Sequence, residues 1–251
     1  MRWGAGLTAV NTTRGQPVAH PTHLKLSIIV PVLNEAERIA AALTALQPLR
    51  ERGAEIVVVD GGSTDGTAAI AARDADHVIS AARGRASQQN AGAQQALGDT
   101  FLFLHCDTQL PLDADGLIAD ALTLSNGAVL WGRFDVRFDT QQTMLRVVAT
   151  MMNARSRLTG IATGDQCIFV RRSAFEAVGG FPPLALMEDI ALSTLLRRQS
   201  APECLRNKVT TSARRWQKKA VWRTIFLMWG LRLAYALGVS PARLARWYGP
   251  S

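Results

Sequence analysis

Short apolar runs alternate with helix-like segments through the first half of the chain. The runs are LSIIV (26–30), EIVVVD (55–60), HVIS (77–80) and TFLFLH (100–105). Between them, NEAERIAAALTAL (34–46) carries apolar residues at helical spacing, TAAIAAR (67–73) follows a Gly turn, and RASQQNAGAQQAL (85–97) is rich in Ala and Gln. Continuous apolar strands that alternate with helices predict an α/β fold, with a mostly parallel sheet and helices on both faces.

The second half has a different pattern. AVLWGRFDVRF (128–138) alternates like a half-exposed strand, and TMLRVVATMMNARSRL (143–158) has helical spacing. CIFVRR (167–172) reads as a strand, and FPPLALMEDIALSTLLRR (181–198) as a loop that opens a helix. Without a repeat or a low-complexity linker, we predict one domain over residues 24–205 with a soft internal boundary near 125. A disordered tail (1–23) precedes it, and a basic, Trp-rich helical extension (206–251) follows.

The charge of the chain is unevenly distributed. Residues 197–251 hold 12 Lys and Arg against one acidic residue, Glu203, whereas residues 1–196 hold 16 Lys and Arg against 19 Asp and Glu. Such a cationic segment indicates an anionic partner, which would be phosphate, nucleic acid or an anionic membrane surface. A solvated basic helix is the alternative. No signature of a nucleic-acid-binding module occurs, so we expect no specific nucleic-acid partner.

Cysteine usage and hydropathy predict a cytoplasmic protein. The three Cys lie far apart without a CxxC pair, which argues against a disulfide framework and fits a reducing compartment. Residues 1–23 lack the sustained apolar core of a secretory signal. No run reaches the roughly 18 uncharged apolar residues of a membrane span. The nearest, Ala220–Val239, is interrupted by Arg223 and Arg232.

Candidate chemistry lies where the predicted strands end, because open parallel sheets bind ligands beyond the carboxyl ends of their strands. Asp60 ends a strand in VVVDGGSTDGT and is placed to accept hydrogen bonds from a nucleobase or a ribose, or else to order the turn and cap the next helix. Asp107 in LHCDTQLP follows His105 and Cys106. A metal site and a plain strand end both fit it. A His–Cys zinc site does not, since alternate strand residues face opposite ways and no second ligand cluster appears.

Four motifs carry a family resemblance. SIIVPVLNEAERI, EIVVVDGGSTDGT, FLFLHCDTQLP and MEDIALSTLL, in this order over about residues 25–200, resemble the inverting glycosyltransferases of family 2, which have the type A nucleotide-diphospho-sugar transferase fold. The chain is most similar to a small bacterial branch with LHxDT in place of DxD. The resemblance implies a nucleotide-binding half to about residue 125 and an acceptor half after it. It also implies that a sugar is transferred from a nucleotide-diphosphate donor, in which uracil is the usual base. The acceptor is not identified, and a lipid or a carotenoid-type compound is one candidate.

The resemblance assigns Pro31, Leu33 and Glu35 to the nucleotide pocket, Asp60 to the base, and Arg85 to the base or the phosphates.

Asp107 takes the last position of the family's DxD, which binds Mg²⁺ or Mn²⁺ on the diphosphate of the donor. His105 replaces the first Asp of that motif. One carboxylate can suffice, because Mg²⁺ often takes only one or two protein carboxylates and completes its shell with waters and phosphates. An imidazole ligand would shift the preference toward Mn²⁺.

Acidic residues of the second half resemble the family's acceptor site. Asp189 in MEDIAL matches the catalytic base, which takes the proton of the acceptor as its oxygen attacks the anomeric carbon. Glu188 is assigned to acceptor support. The alternative is that Glu188 and Asp189 have no role in catalysis and only complement the dipole of the helix that they begin. Asp165 in TGDQCIFV either faces the acceptor or belongs to a turn.

The basic segment SARRWQKKAVWRT (212–224) is similar to the QxxRW motif of processive relatives, with Ser212 in place of Gln. The match assigns Arg215 to the diphosphate, which Arg can clamp with paired donors, and Trp216 to the acceptor. The missing Gln argues against processive synthesis. A basic helix face with a buried Trp is the alternative.

Trp222, Phe226, Trp229 and Leu233 share one helical face with basic neighbours. This face predicts either a peripheral contact of residues 214–247 with the inner face of the cell membrane or packing over the acceptor cleft.

Two alternatives to a glycosyltransferase stay open at this point. A sugar-nucleotide pyrophosphorylase would need a Gly-rich phosphate loop after the first strand, where PVLNEAERI stands. A non-enzymatic binder of anionic surfaces or nucleic acid would rely on the cationic segment alone.

Overall fold

A computed structural model describes residues 24–124, 127–214 and 221–248. Its strands are β1 (Leu26–Val32), β2 (Glu55–Asp60), β3 (His77–Ser80), β4 (Thr100–Phe103), β5 (Thr108–Gln109), β6 (Trp131–Phe138), β7 (Ile168–Arg171) and β8 (Glu203–Thr211). Its helices are α1 (Ala36–Glu51), α2 (Thr67–Ala71), α3 (Arg85–Gln95), α4 (Ala114–Thr123), α5 (Thr143–Thr159), α6 (Arg172–Ala177), α7 (Glu188–Leu196), α8 (Val221–Ala236) and α9 (Pro241–Tyr248), with a 3₁₀ turn at Gly164–Gln166.

The strands form one sheet in the order β3-β2-β1-β4-β7-β6-β8-β5. The first half is parallel as predicted, since β1 pairs in parallel with β2 and β4, and β2 with β3. The second half is mixed. β6 pairs in parallel with β8, whereas the β4–β7, β6–β7 and β5–β8 pairs are antiparallel. The protein is therefore a single mixed α/β domain.

Two hydrophobic cores cover the two faces of the sheet. Alternate residues of β1 point to opposite faces, so Ile28 lies in the core beneath α1, α4 and α5 while Ile29 lies in the core beneath α3, α6 and α7. Gly92 of α3 allows the close helix–sheet approach, because a Cβ there would lie 2.5 Å from Cγ2 of Ile29. Helices on both faces are thus confirmed.

The prediction that β6 is half-exposed is wrong. Seven of its eight residues are buried, and Arg133 is 0% exposed. Its guanidinium donates to the Asp135 carboxylate, to Oγ of Ser156 at 3.1 Å and to the carbonyl of Asn153 at 3.2 Å. Asp135 also accepts a bond from Arg157 at 2.7 Å. Arg133 and Asp135 look solvent-facing in the sequence, but they are buried because their charges neutralise each other beneath α5.

The crevice that holds the candidate site opens between β1 and β4. The two strands are paired as far as Ile29 and Phe103, and beyond that point β1 continues alongside β2 alone. Pro31, which has no N–H to donate, lies in this last part of β1, where no β4 residue pairs with it. Divergence of the strands at their carboxyl ends leaves space for a ligand.

The C-terminal segment differs from its predicted outline. The boundary at residue 205 falls inside β8, so residues 206–211 belong to the sheet and not to a helical extension. Leu231 of α8 and Leu244 of α9 pack with Met187, next to α7. No helix among the described residues is long and apolar enough to cross a membrane. The predictions for residues 1–23, Arg215 and Trp216 concern positions outside the described residues.

Candidate active site

Two adjoining cavities lie at the carboxyl ends of β1 and β4. The larger, of about 230 Å³, is lined by Pro31, Leu33, Glu35, Asp107 and Arg214 among others. The smaller, of about 70 Å³, is lined by residues that include Glu188, Asp189 and Arg232. Three side chains line both cavities and mark where they meet: Arg85, His105 and Asp165.

The loops that follow β1 and β2 are hydrogen-bonded to each other, and Glu35 of the first loop lines the larger cavity. Asn34 has a positive φ of 54°, its N–H donates to Oγ of Ser63 at 2.8 Å, and its Oδ1 accepts from the N–H of Thr64 at 2.9 Å. The N–H of Glu35 donates to Oγ1 of Thr67 at 2.9 Å. These bonds position the Glu35 side chain at the cavity.

The Asp60 carboxylate is engaged within its own turn. Asp60 is 5% exposed and accepts hydrogen bonds from the N–H of Gly62 at 3.1 Å, the N–H of Ser63 at 2.9 Å, and the Ser63 hydroxyl. Asp60 is not among the residues that line either cavity. The turn-ordering interpretation matches the observed contacts, and a contact with a nucleobase stays a prediction.

Asp107 and Glu35 face a common cation in the larger cavity. Nη2 of Arg214 lies 3.6 Å from Oδ2 of Asp107 and 3.5 Å from Oε1 of Glu35. The Asp107 side chain is 28% exposed, so its carboxylate is open to the cavity.

This donor set fits a hard divalent cation whose shell is completed by a ligand. Within the described ranges, no group of three or more His, Cys, Asp or Glu side chains is arranged to hold a metal by itself. Two carboxylates that already share a positive charge can hold Mg²⁺ or Mn²⁺ when phosphate oxygens and waters supply the remaining positions.

His105 connects the two cavities. Its Nδ1 lies 3.5 Å from Oδ1 of Asp165, and its ring packs on Gly164, where an added Cβ would lie 2.6 Å from Cε1 and 2.7 Å from Nε2. The imidazole is therefore held against the 3₁₀ turn and directed toward the Asp165 side of the site.

The neighbouring Cys106 thiol is buried. Burial, with the charges of Glu35 and Asp107, raises the pKa of Cys106 to about 12. At neutral pH such a thiol has little of the thiolate form that acts as a nucleophile.

Asp189 is oriented by backbone donors in the smaller cavity. Its Oδ2 accepts from the N–H of Gly164 at 2.8 Å, and its Oδ1 from the N–H of Ile190 at 2.7 Å. These bonds leave lone pairs on both oxygens for a further donor.

Glu188 lies deeper than Asp189, with its Oε1 3.9 Å from Nη1 of Arg85. Burial, and then the charge of Asp189, raise the pKa of Glu188 above its ordinary value, and the guanidinium of Arg85 opposes this only in part.

Most predicted site residues meet at these cavities although they come from distant parts of the chain. The exceptions are Asp60, which lies behind its turn, and Arg215 and Trp216, which are outside the described residues. Sequence reasoning missed Arg214, one position before the predicted phosphate ligand, and Gln88, whose Nε2 donates at 2.8 Å to the carbonyls of both Val32 and Val59. The sequence places Arg214 in a run of basic residues, and the fold brings its guanidinium to the two carboxylates.

Comparison with known proteins identifies the family. The model of "Glycosyl transferase family 2" matches residues 27–179, more than half of the chain. This protein belongs to glycosyltransferase family 2. Family membership confirms the predicted fold and the prediction of a glycosyltransferase, and it disfavours the two alternatives, a sugar-nucleotide pyrophosphorylase and a non-enzymatic binder.

Two curated relatives share 32% identity with this family 2 member. One is the succinoglycan biosynthesis protein ExoA of Rhizobium meliloti (strain 1021), in an alignment of 173 positions that covers 61% of this chain and 52% of the relative. The other is an undecaprenyl-phosphate 4-deoxy-4-formamido-L-arabinose transferase of Yersinia pestis, in an alignment of 160 positions that covers 59% of this chain and 48% of the relative. The chain thus spans about half the length of the curated relatives that it matches.

Solved structures of similar fold include nucleotide-sugar complexes. The mannosyltransferase PcManGT of Pyrobaculum calidifontis, in complex with GDP-Man and Mn²⁺, has a TM-score of 0.58 and 24% identity, covering 88% of this chain and 64% of its own. TarS 1–349 of S. aureus, in complex with UDP-GlcNAc, has a TM-score of 0.60 and 20% identity, covering 75% and 58%. At these identities the likeness establishes the fold alone.

Proposed function

We propose that the protein transfers a sugar from a nucleoside diphosphate, with uridine as the expected nucleoside, to an acceptor hydroxyl with inversion at the anomeric carbon. The proposal rests chiefly on the two adjoining cavities, one with the Asp107 and Glu35 carboxylates beside Arg214 and the other with the oriented Asp189 carboxylate. The donor occupies the larger cavity and the acceptor enters the smaller one, so that the anomeric carbon lies near His105 and Asp165, where the cavities meet.

In the larger cavity, Pro31, Leu33 and Glu35 line the nucleotide pocket, and Arg85 approaches the base or the phosphates. Asp60, which lines neither cavity, is the proposed contact to the base from its turn.

Asp107, with Glu35 beside it, would hold Mg²⁺ or Mn²⁺, which when bound neutralises charge on the diphosphate. Arg214 turns from these carboxylates to the diphosphate, which supplies the anion contact expected of Arg215. His105, whose Nδ1 faces Asp165, positions the sugar.

Asp189 acts as the base in the smaller cavity. Its carboxylate takes the proton of the acceptor hydroxyl while the hydroxyl oxygen bonds to the anomeric carbon. The bond from that carbon to the diphosphate breaks on the opposite face, the electron pair leaves with the nucleoside diphosphate, and the configuration inverts in one step. Asp165 and Glu188 orient the acceptor. Trp216 is the proposed platform for its ring or chain.

We favour a lipid-linked acceptor that the protein binds at the inner face of the membrane. A curated relative bears the name of an undecaprenyl-phosphate transferase. While Leu231 packs inward, Trp229, Leu233, Leu237 and Trp247 are each at least half exposed, and Arg243 and Arg246 are exposed nearby. An apolar face flanked by Arg is typical of helices that lie in a membrane interface. Sedimentation with anionic vesicles should fall when Leu233→Asp is introduced, and equal sedimentation of both proteins would contradict the contact.

A thermal-shift panel of nucleoside diphosphates and nucleotide sugars, with and without Mn²⁺, tests the donor site. A ligand at 100 times its Kd stabilises a protein by about 2.7 kcal/mol, which predicts a rise in Tm of roughly 5–11 °C for a domain of this size. Asp107→Ala should remove the part of the rise that depends on Mn²⁺, whereas Glu51→Ala, which removes an exposed acid on α1, should keep it. If the rise in Tm is the same without Mn²⁺ and in Asp107→Ala, the metal assignment is contradicted. If no nucleotide raises the Tm, the proposed function is contradicted.

A further inference from the structure

Two arginines, of which Arg232 lines the smaller cavity, have buried donors without acceptors. Nε and Nη2 of Arg155 on α5, and Nε of Arg232 on α8, are inaccessible to solvent and make no hydrogen bond. Buried polar groups are nearly always hydrogen-bonded, so each exception calls for an explanation. Among the residues that the structure describes, neither guanidinium lies within ion-pair distance of a carboxylate. These arginines therefore form an incomplete polar site.

The two cations also act on each other. Burial first, and then the charge of Arg232, lower the pKa of Arg155 to about 10, and the charge of Asp189 offsets this only in part. Burial likewise lowers the pKa of Arg232 against the opposing charges of Asp189 and Asp165. Two neighbouring desolvated cations without a counter-ion destabilise a fold. Arg133, which is also buried, differs because the Asp135 carboxylate neutralises it.

The location of the pair indicates what would neutralise it. Arg232 lines the smaller cavity together with Asp189. That cavity, of about 70 Å³, adjoins the larger cavity and shares Arg85, His105 and Asp165 with it. Guanidinium groups match the oxygens of a phosphate through parallel N–H donors, and two of them balance a dianion.

We propose that Arg155 and Arg232 form an anion subsite that binds the phosphate of a phosphate-monoester acceptor, whose hydroxyl then reaches Asp189. This inference rests on the proposed function, since it names the chemical class of the acceptor. The phosphate belongs either to a soluble compound or to a lipid headgroup, which present the same dianion to the two arginines.

The test measures phosphate binding separately from donor binding. The wild type, Arg155→Gln, Arg232→Gln and the control Arg73→Gln, which removes an exposed charge next to α2, are saturated with UDP and Mg²⁺ so that the donor site is filled. Glycerol 3-phosphate is then titrated against glycerol. In a second arm, sedimentation with phosphatidylcholine vesicles that contain phosphatidic acid is compared with phosphatidylcholine alone.

Binding that weakens by about tenfold or more in both cavity variants, and not in the control, would support the subsite. A response to glycerol 3-phosphate identifies a soluble source, and a response confined to phosphatidic acid identifies a lipid one. Without phosphate, Arg155→Gln should have a higher Tm than the wild type, because it separates two unpartnered cations, whereas a purely structural arginine would give a lower one.

Unchanged binding in both cavity variants, or no binding of phosphate by the wild type in either arm, would overturn the inference. UDP binding, followed by calorimetry in the same samples, separates the two hypotheses. Intact UDP binding without a phosphate response refutes the anion subsite alone, whereas failure to bind any nucleotide refutes the proposed glycosyl transfer.

Discussion

Replacement of Asp135 by Asn should destabilise the protein more than its exposure suggests. One carboxylate serves two guanidinium groups there, those of Arg133 and Arg157, and the Arg133 side chain is 0% exposed. Asparagine keeps the shape but removes the negative charge, so the Arg133 cation stays buried without a counter-charge. Loss of one partner from such a pair costs about 3–5 kcal/mol. For a domain of this size each kcal/mol lowers Tm by about 2–4 °C, so the expected fall is roughly 6–20 °C.

The assay is thermal unfolding followed by circular dichroism, with Asp115→Asn as the matched control. Asp115 also accepts two bonds from one arginine, at 2.7 and 2.9 Å from Arg52, but the Arg52 side chain is 45% exposed. An exposed pair contributes about 0–1 kcal/mol, so its loss should lower Tm by only a few degrees. Adding Arg133→Met to Asp135→Asn should recover part of the loss, because the unpaired charge is then gone. Equal Tm values for the Asp135 and Asp115 variants would refute the reasoning.

The remaining predictions concern the two acids that begin α7. Asp189→Asn should keep the affinity for the donor but lower the release of nucleoside diphosphate by about 10²–10⁴-fold, the usual contribution of a general base; a wild-type rate would reject that role. For Glu188→Gln the effect depends on pH. Burial and the charge of Asp189 raise the pKa of Glu188 in the folded state, so folding favours the protonated form. The stability that this form contributes is fully present below the unfolded-state pKa of about 4.3. It is lost as the pH rises through the folded-state pKa. The Tm of Glu188→Gln relative to wild type should therefore increase from pH 4 to pH 8, and a difference that does not vary with pH would count against it.

By itself, the sequence determined the parallel half of the sheet and the ends at which its chemistry lies. Runs such as Ile28–Val30 and Val57–Val59 are apolar at every position because both faces of those strands are covered, and this local pattern needs no knowledge of the partner strands. Pro31 and Asp107 could be placed at one edge for the same reason, since the carboxyl ends of parallel strands lie together. The family motifs are short contiguous segments, so they can be recognised in the sequence without the fold.

Only the tertiary structure decided which distant polar groups meet. Arg133 looks solvent-facing in an alternating strand, and it is buried because a carboxylate and a serine hydroxyl beneath α5 satisfy it. Arg214 faces Asp107 because β8 and β5 bring residues about a hundred positions apart into register. The unpartnered donors of Arg155 and Arg232 likewise have no local pattern. The burial of an apolar side chain can be predicted from the periodicity of its neighbours in the sequence. The burial of a charged side chain depends on a counter-charge that is distant in the sequence, and only the complete fold shows which residue supplies it.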